Sequence, residues 1–308
     1  MNLRARLAPV ALAGTALLAL TLSACSSSAG AAGSTESAQP AAYAASADTI
    51  VFGVVPDSAD TQTNYQPLMD YLAKETGKKV QYKESTDYAA LIEAAIAGKV
   101  DVASFSGFTY VTAKNNGAKI TPISSIITEK GATPGYYSEA IVPKGSAITD
   151  LAGFKGKKVC FVDPSSTSGY LFPSYNLLKA GIDPQKDVTP VFAGKHDISV
   201  QKTGEGTECE AGFAEDSEVA KSDKVTVVQK TKVPGAPITV SDTLPADEKA
   251  QVEKVLANVT IDQIIAAGIK GADSDGFRSV FYATSPVDDK YYDLIRDICA
   301  KTHATQCQ

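Results

Sequence analysis

The segment Asp163-Pro-Ser-Ser-Thr-Ser-Gly169 sets four hydroxyl-bearing residues in succession, Ser165, Ser166, Thr167 and Ser168. They stand between a β-branched run, Lys157-Lys-Val-Cys-Phe-Val162, and a helical pattern from Gly169 to Ala180. A helix that begins there leaves about four amide N–H groups unpaired and carries roughly half a positive charge at its start. Hydroxyls and free amides in that position can hold a tetrahedral oxyanion without any arginine. One hydroxyl is enough to cap a helix, the plain alternative for such a cluster, and four exceed that need. Ser166, His196 and Asp197 are also the residue types of a hydrolase triad. The serine lacks the Gly-x-Ser-x-Gly elbow, and adjacent hydroxyls suit binding better than attack, so no catalytic residue is assigned.

The elements around this segment alternate. Thr49–Val55 reads as a strand and is followed by a helical pattern with Leu68, Tyr71 and Leu72 on one face. Lys79–Tyr82 is a second strand, Tyr88, Leu91, Ile92, Ala95 and Ile96 mark a second helix, and Val100–Phe105 is a third strand. After Gly135 a second alternation begins, with Tyr137–Val142 extended and strands predicted at 157–162, 188–192, 210–213 and 225–229. Residues 246–270 and 286–300 are helical by spacing. The pattern predicts two α/β lobes, lobe 1 from 49–138 and 238–308 and lobe 2 from 139–237, with crossings near 136–142 and 232–240. Two crossings make a hinge, and the cleft between the lobes is the expected site.

The N-terminus is an address. Arg4 and Arg6 precede an apolar run from Leu7 to Leu20, and Leu22-Ser23-Ala24-Cys25 resembles a bacterial lipobox. Residues 1–25 therefore read as a lipoprotein signal peptide with Cys25 as the lipidated residue. The apolar run is shorter than the roughly 20 residues a transmembrane helix needs. Residues 26–48, mainly Ser, Ala and Gly, read as a flexible tether. A net charge of -6 and a pI near 5.1 exclude nucleic acid as the expected partner. Four further cysteines occupy a compartment that permits oxidation and allow three pairings. Cys160–Cys209 with Cys299–Cys307 is preferred, since the first two fall in strand-like segments and the second two are neighbours in sequence. With no CxxC spacing and only His196 and His303 available, neither a metal site nor a cofactor is expected. Asn258-Val-Thr260 is read as part of a helix, and Asp273-Ser-Asp-Gly276 as a turn.

Several segments in order resemble the phosphate/phosphite/phosphonate-binding proteins of ABC importers. They are Asp87-Tyr88, Asp101-Val-Ala-Ser-Phe-Ser-Gly107, Gly135-Tyr-Tyr-Ser138, Leu151-Ala-Gly-Phe-Lys-Gly-Lys157, Asp163–Leu171, Gly194-Lys-His-Asp197 and Pro286-Val-Asp-Asp-Lys-Tyr-Tyr292. The resemblance covers nearly all of residues 49–300. It implies a two-lobed type II periplasmic-binding-protein fold and a monomer that delivers a small phosphorus oxyanion to an ABC permease and ATPase. Position by position, it implies that Ser166, Thr167 and Ser168, with Ser165 beside them, bind the phosphorus oxygens. Tyr88 and Tyr136 then close from the other lobe, with Tyr137 competing for the role of Tyr136, and His196 contributes from its loop. Ser106 and Gly107 are placed at the cleft edge. Relatives that take aminoalkyl phosphonates set carboxylates against the ammonium group. Here Glu215 and Asp216 stand near one such position, and Ala236 occupies the other. A cation stripped of water needs opposite charge, so an amine-free ligand is expected: phosphite, methylphosphonate or phosphate. A sulfonate is the alternative within the same fold.

Overall fold

The computed structural model describes residues 48–307; the lipobox, Cys25 and almost all of the tether lie outside them. Lobe 1 opens with β1 (Thr49–Val54), α1 (Thr61–Thr76), β2 (Lys79–Lys83), α2 (Tyr88–Ile96), β3 (Val102–Ser104), α3 (Gly107–Asn115) and β4 (Ile120–Ile127). The chain then builds lobe 2 from β5 (Tyr136–Pro143), β6 (Lys158–Phe161), α4 (Phe172–Lys179), β7 (Thr189–Phe192), α5 (His196–Glu205), β8 (Ala211–Glu215), α6 (Asp216–Val219) and β9 (Val225–Val233). A π turn over Thr167–Leu171 runs into α4. The return to lobe 1 adds β10 (Pro237–Ser241), α7 (Ala246–Leu256), α8 (Ile261–Ala266), α9 (Asp275–Val280), β11 (Ala283–Pro286) and α10 (Asp293–Thr302).

The lobe 1 sheet has the order β11-β4-β10-β3-β1-β2, and the lobe 2 sheet β7-β6-β8-β5-β9. β10, entering from lobe 2, runs antiparallel between β3 and β4. That inserted return strand is the topology of the type II periplasmic-binding-protein fold. β1 is buried along its whole length, as a central parallel strand covered on both faces must be. Leu68, Leu72, Val252, Leu256 and Ile264 cover one face of the lobe 1 sheet. On the other side, Tyr292, Ile295 and Ile298 share a core with Phe105 and Phe108 of lobe 1 and Leu171 and Phe172 of lobe 2.

The first crossing lies earlier than the pattern suggested, and the second falls within its expected range but is tighter. Tyr136 and Tyr137 already pair with Val233 and Lys232 in the lobe 2 sheet, so the first crossing is 128–135 and the second is 234–236. The crossings pack on each other, where a Cβ on Gly235 would stand 2.9 Å from Gly135 N and 2.2 Å from Ser125 Oγ. The Tyr291 hydroxyl ties them, donating to Pro134 O at 2.7 Å and accepting from Gly235 N at 3.1 Å.

Other elements depart from the expectation for identifiable reasons. The helix predicted over 246–270 is two helices, because Thr260 and Gln263 form a capping box that starts α8. Thr260 is thus a cap, and Ser274 likewise caps α9. Pro286 closes β11 instead of opening a helix, and α10 starts only at Asp293. His196 is the first residue of α5 and is 2% exposed, not a loop residue. Cys209 precedes β8 instead of lying in a strand.

Cys160 pairs with Cys209 and Cys299 with Cys307, with Cα separations of 5.6 and 5.5 Å. The two bridges span 49 and 8 residues, so chain-entropy arguments assign them about 4 and about 2.5 kcal/mol. Urea unfolding of Cys160→Ala/Cys209→Ala and of Cys299→Ala/Cys307→Ala should show the first pair losing more stability than the second.

Candidate functional site

A cleft of about 680 Å³ lies between the lobes. Lobe 1 contributes the loop after β1, with Asp57 and Ser58, the α1 residues Thr61 and Tyr65, Tyr88 at the start of α2, and Ser104–Ser106 after β3. Lobe 2 contributes Tyr136 and Tyr137, His196, and Glu215–Glu218 at the β8–α6 junction. The crossings add Ala132, Thr133, Gly135, Gly235 and Ala236. The walls thus gather at the carboxyl ends of β1, β3 and β8, the usual ligand position in open α/β sheets.

Tyr88, Tyr136, His196, Ser106 and Glu215, all named from the sequence, line this cleft. Ser165, Ser166, Thr167 and Ser168 are not part of its wall and lie behind Tyr136, at most 4% exposed. Ser168 Oγ donates to the Tyr136 hydroxyl at 3.1 Å, which joins the serine-threonine segment to the cleft. Ser166 caps the π turn by accepting from Gly169 N at 3.0 Å. That turn lies close on its strand: a Cβ on Gly169 would stand 2.4 Å from Val162 Cβ, so only glycine fits. Thr167 Oγ1 accepts from Phe108 N at 2.7 Å. This bond joins the N-terminus of α3 to the N-terminus of the π turn, one from each lobe. Ser106 and Thr109 reinforce the junction by donating to Ser165 O at 3.4 and 3.0 Å. Both Tyr136 and Tyr137 reach the cleft, but Tyr137 is 41% exposed at its mouth.

His196 accepts from Glu215 N through Nδ1 at 2.9 Å, which puts its own proton on Nε2. Burial holds its pKa down, to about 4, so it is a neutral donor at pH 7. Its main-chain N–H donates across the cleft to Asp57 O at 2.8 Å. Burial, then the charge of Glu215, pushes Asp57 up to about 7. Glu215 is likewise pushed up to about 7 by burial. Glu215 Oε1 accepts from Ser217 Oγ at 2.7 Å. No group of three or more His, Cys, Asp or Glu among the described residues is arranged to hold a metal.

Among the described residues Ser166, His196 and Asp197 form no nucleophilic relay. Ser166 is engaged with Gly169, His196 with Glu215, and Asp197 Oδ2 with Ala59 N at 3.3 Å. Asp57 and Tyr65 are cleft residues that the sequence pattern did not single out. A carboxylate directly after a strand and Pro56 was the only sign of the first, and Tyr65 shares the apolar face of its helix with Leu68 and Leu72 and so reads as core, although its hydroxyl stands 2.8 Å from Ser104 Oγ.

Two α/β lobes joined by two crossings over a polar cleft with no relay define a substrate-binding protein of the type II periplasmic class. The chain belongs to the family described as "ABC transporter, phosphonate, periplasmic substrate-binding protein", whose sequence profile matches residues 52–284. It is 34% identical over 290 residues to the phosphate-import protein PhnD of Mycolicibacterium smegmatis, covering 85% of this chain and 88% of that one. Among solved structures, PhnD1 of Prochlorococcus marinus in complex with methylphosphonate superposes with a TM-score of 0.70 at 20% identity, covering 83% of this chain and 99% of that one. A binding component of an ABC phosphonate transporter from Pseudomonas aeruginosa also gives 0.70, at 22% identity, covering 83% and 86%. The chain is therefore a transport protein of an ABC importer and not an enzyme.

The pH dependence of folding follows from Glu215. Its folded pKa lies above the ordinary 4.5, so the native state binds more protons than the unfolded chain between pH 4.5 and about 7. Its contribution is fully present below pH 4.5 and is lost as pH rises through about 7. Glu215→Gln should melt like the wild type in acid and gain on the order of 3 kcal/mol relative to it above pH 7. Thermal melts of both proteins across this range check the sign.

Proposed function

We propose that this chain is a lipid-anchored, monomeric binding protein that captures a small amine-free phosphorus oxyanion and presents it to its permease and ATPase. The observation that carries the reading is the junction of two helix N-termini, one from each lobe, which Ser168 links to the cleft through its bond to the Tyr136 hydroxyl. Ser166 and Thr167 accept backbone N–H groups there and keep their own hydroxyl protons for donation. Tyr88, Tyr136 and neutral His196 supply further donors, so a tetrahedral anion can be bound without arginine. The lobes close over it, and the closed form is what the permease meets. Residue 25 lies before the described body, and its lipidation would hold that body at the membrane surface through the tether.

The absence of an amine is favoured because Ala236 lines the cleft while Asp57 and Glu215 are drawn toward neutrality. An ammonium ligand would have to ionise both in a closed site. The phosphate-import relative and the methylphosphonate-bound structural neighbour agree with this ligand class.

Calorimetry with phosphate, phosphite, methylphosphonate, an alkanesulfonate and 2-aminoethylphosphonate tests the choice. Tighter binding of the aminoalkyl compound or the sulfonate than of the other three would refute it. Ser168→Ala removes the hydroxyl that links the serine-threonine segment to Tyr136 and should weaken binding roughly 10–100-fold. Unchanged affinity in that variant would move the anion away from the junction.

A further inference from the structure

We propose that Asp57 and the bound oxyanion share one proton, so that this residue selects the ligand by its state of protonation. The inference rests on the reading of the cleft as a phosphorus-oxyanion site. Asp57 stands in the lobe 1 wall just beyond β1, and closure fixes its position through the His196 N–H bond to its carbonyl. Its Oδ1 accepts from Thr61 Oγ1 at 2.5 Å, while Oδ2 has no hydrogen-bond partner among the described residues. Glu215, the carboxylate across the cleft, accepts from Ser217 through Oε1, and its Oε2 stands 4.0 Å from His196 Nε2 on the lobe 2 side. Asp57 therefore offers the cleft, from lobe 1, a carboxyl oxygen that no other group among the described residues holds.

The groups that face it are Glu215 from β8, Glu218 from α6 and His196 from α5, with Tyr65, Tyr82, Tyr88 and Tyr136 from α1, β2, α2 and β5. The lysine at that end of the cleft, Lys221, is already held by Glu218 at 2.7 Å and Asp60 at 3.7 Å. Lys232, in the opposite wall, bonds Thr133 at 3.0 Å. An ionised Asp57 against a fully ionised phosphoryl oxygen would thus be an uncompensated like-charge contact in a closed cleft. One proton between them turns that repulsion into a short charge-assisted O–H···O bond. The bonded pair is the same whether the proton arrives on the carboxyl or on the ligand.

Calorimetry of wild type and Asp57→Asn with phosphate and with methylphosphonate, from pH 5.5 to 9, tests this. Ligand titration is common to both proteins, so the difference between their profiles reports Asp57. With methylphosphonate, whose dianion brings no proton, the wild type should lose affinity above neutrality about ten-fold per pH unit more steeply than Asp57→Asn, which keeps an N–H donor without needing the proton. Phosphate, whose dianion still carries a proton at pH 9, should show no such extra loss. Parallel methylphosphonate profiles would overturn the proposal, as would loss of all binding in an Asp57→Asn protein that melts normally. Thr61→Val is the second variant. It removes the hydroxyl that favours the ionised carboxylate, so its affinity loss should begin at higher pH than in the wild type, and an unmoved profile counts against the proposal. A wild-type protein that binds neither anion overturns the ligand reading as well, which separates the two failures.

Discussion

Two helix N-termini that face one another from opposite lobes repel, since each presents unpaired N–H groups and the positive end of a dipole. The arrangement holds only if acceptors stand between them. Here these are Thr167 Oγ1, which takes the Phe108 N–H, and Ser165 O, which takes the Ser106 and Thr109 hydroxyls. Much of the structure serves to maintain this junction. The Gly169–Val162 contact presses the π turn on its strand, and α10 packs its apolar face against Phe105, Phe108, Leu171 and Phe172 together.

The electrostatic problem is attraction of an anion by an acidic chain. The cleft wall contains Asp57, Glu129, Glu215, Asp216 and Glu218 against His196 and Lys232, and no arginine. Burial changes the meaning of that list. It disfavours the charged form of Asp57 and Glu215, which move toward neutrality, and of His196, which loses its charge. What remains is a polar surface of donors, with backbone dipoles supplying the positive potential. Charge counts taken from composition therefore misstate the field that a ligand meets.

The crossings show why lobes of this kind can move as bodies. Each crossing is short, they touch through Gly135 and Gly235, and a single hydroxyl, that of Tyr291, bonds to both. The sequence placed the first of them a few residues late. Tyr136 and Tyr137 look like the start of an independent extended segment, and only their pairing with Val233 and Lys232 assigns them to the second sheet. Strand partners are non-local, and local periodicity carries no information about them.

Local chemistry in the chain was enough to determine the alternation of strands and helices, the two lobes, and the hydroxyl cluster at a helix start. Each rests on neighbours within a few residues: side-chain period, a cap, a proline or a glycine. The family of the chain was legible for the same reason, since its segments are short and ordered. Tertiary structure alone decided what those hydroxyls bond, that His196 is buried and neutral, and that Asp57 joins the cleft from the far lobe. These depend on contacts between residues distant in sequence, 59 positions apart for Thr167 and Phe108 and more than a hundred for Asp57 and His196, and on the loss of water when the lobes meet. Desolvation is a property of the assembled cleft, and no stretch of sequence contains it.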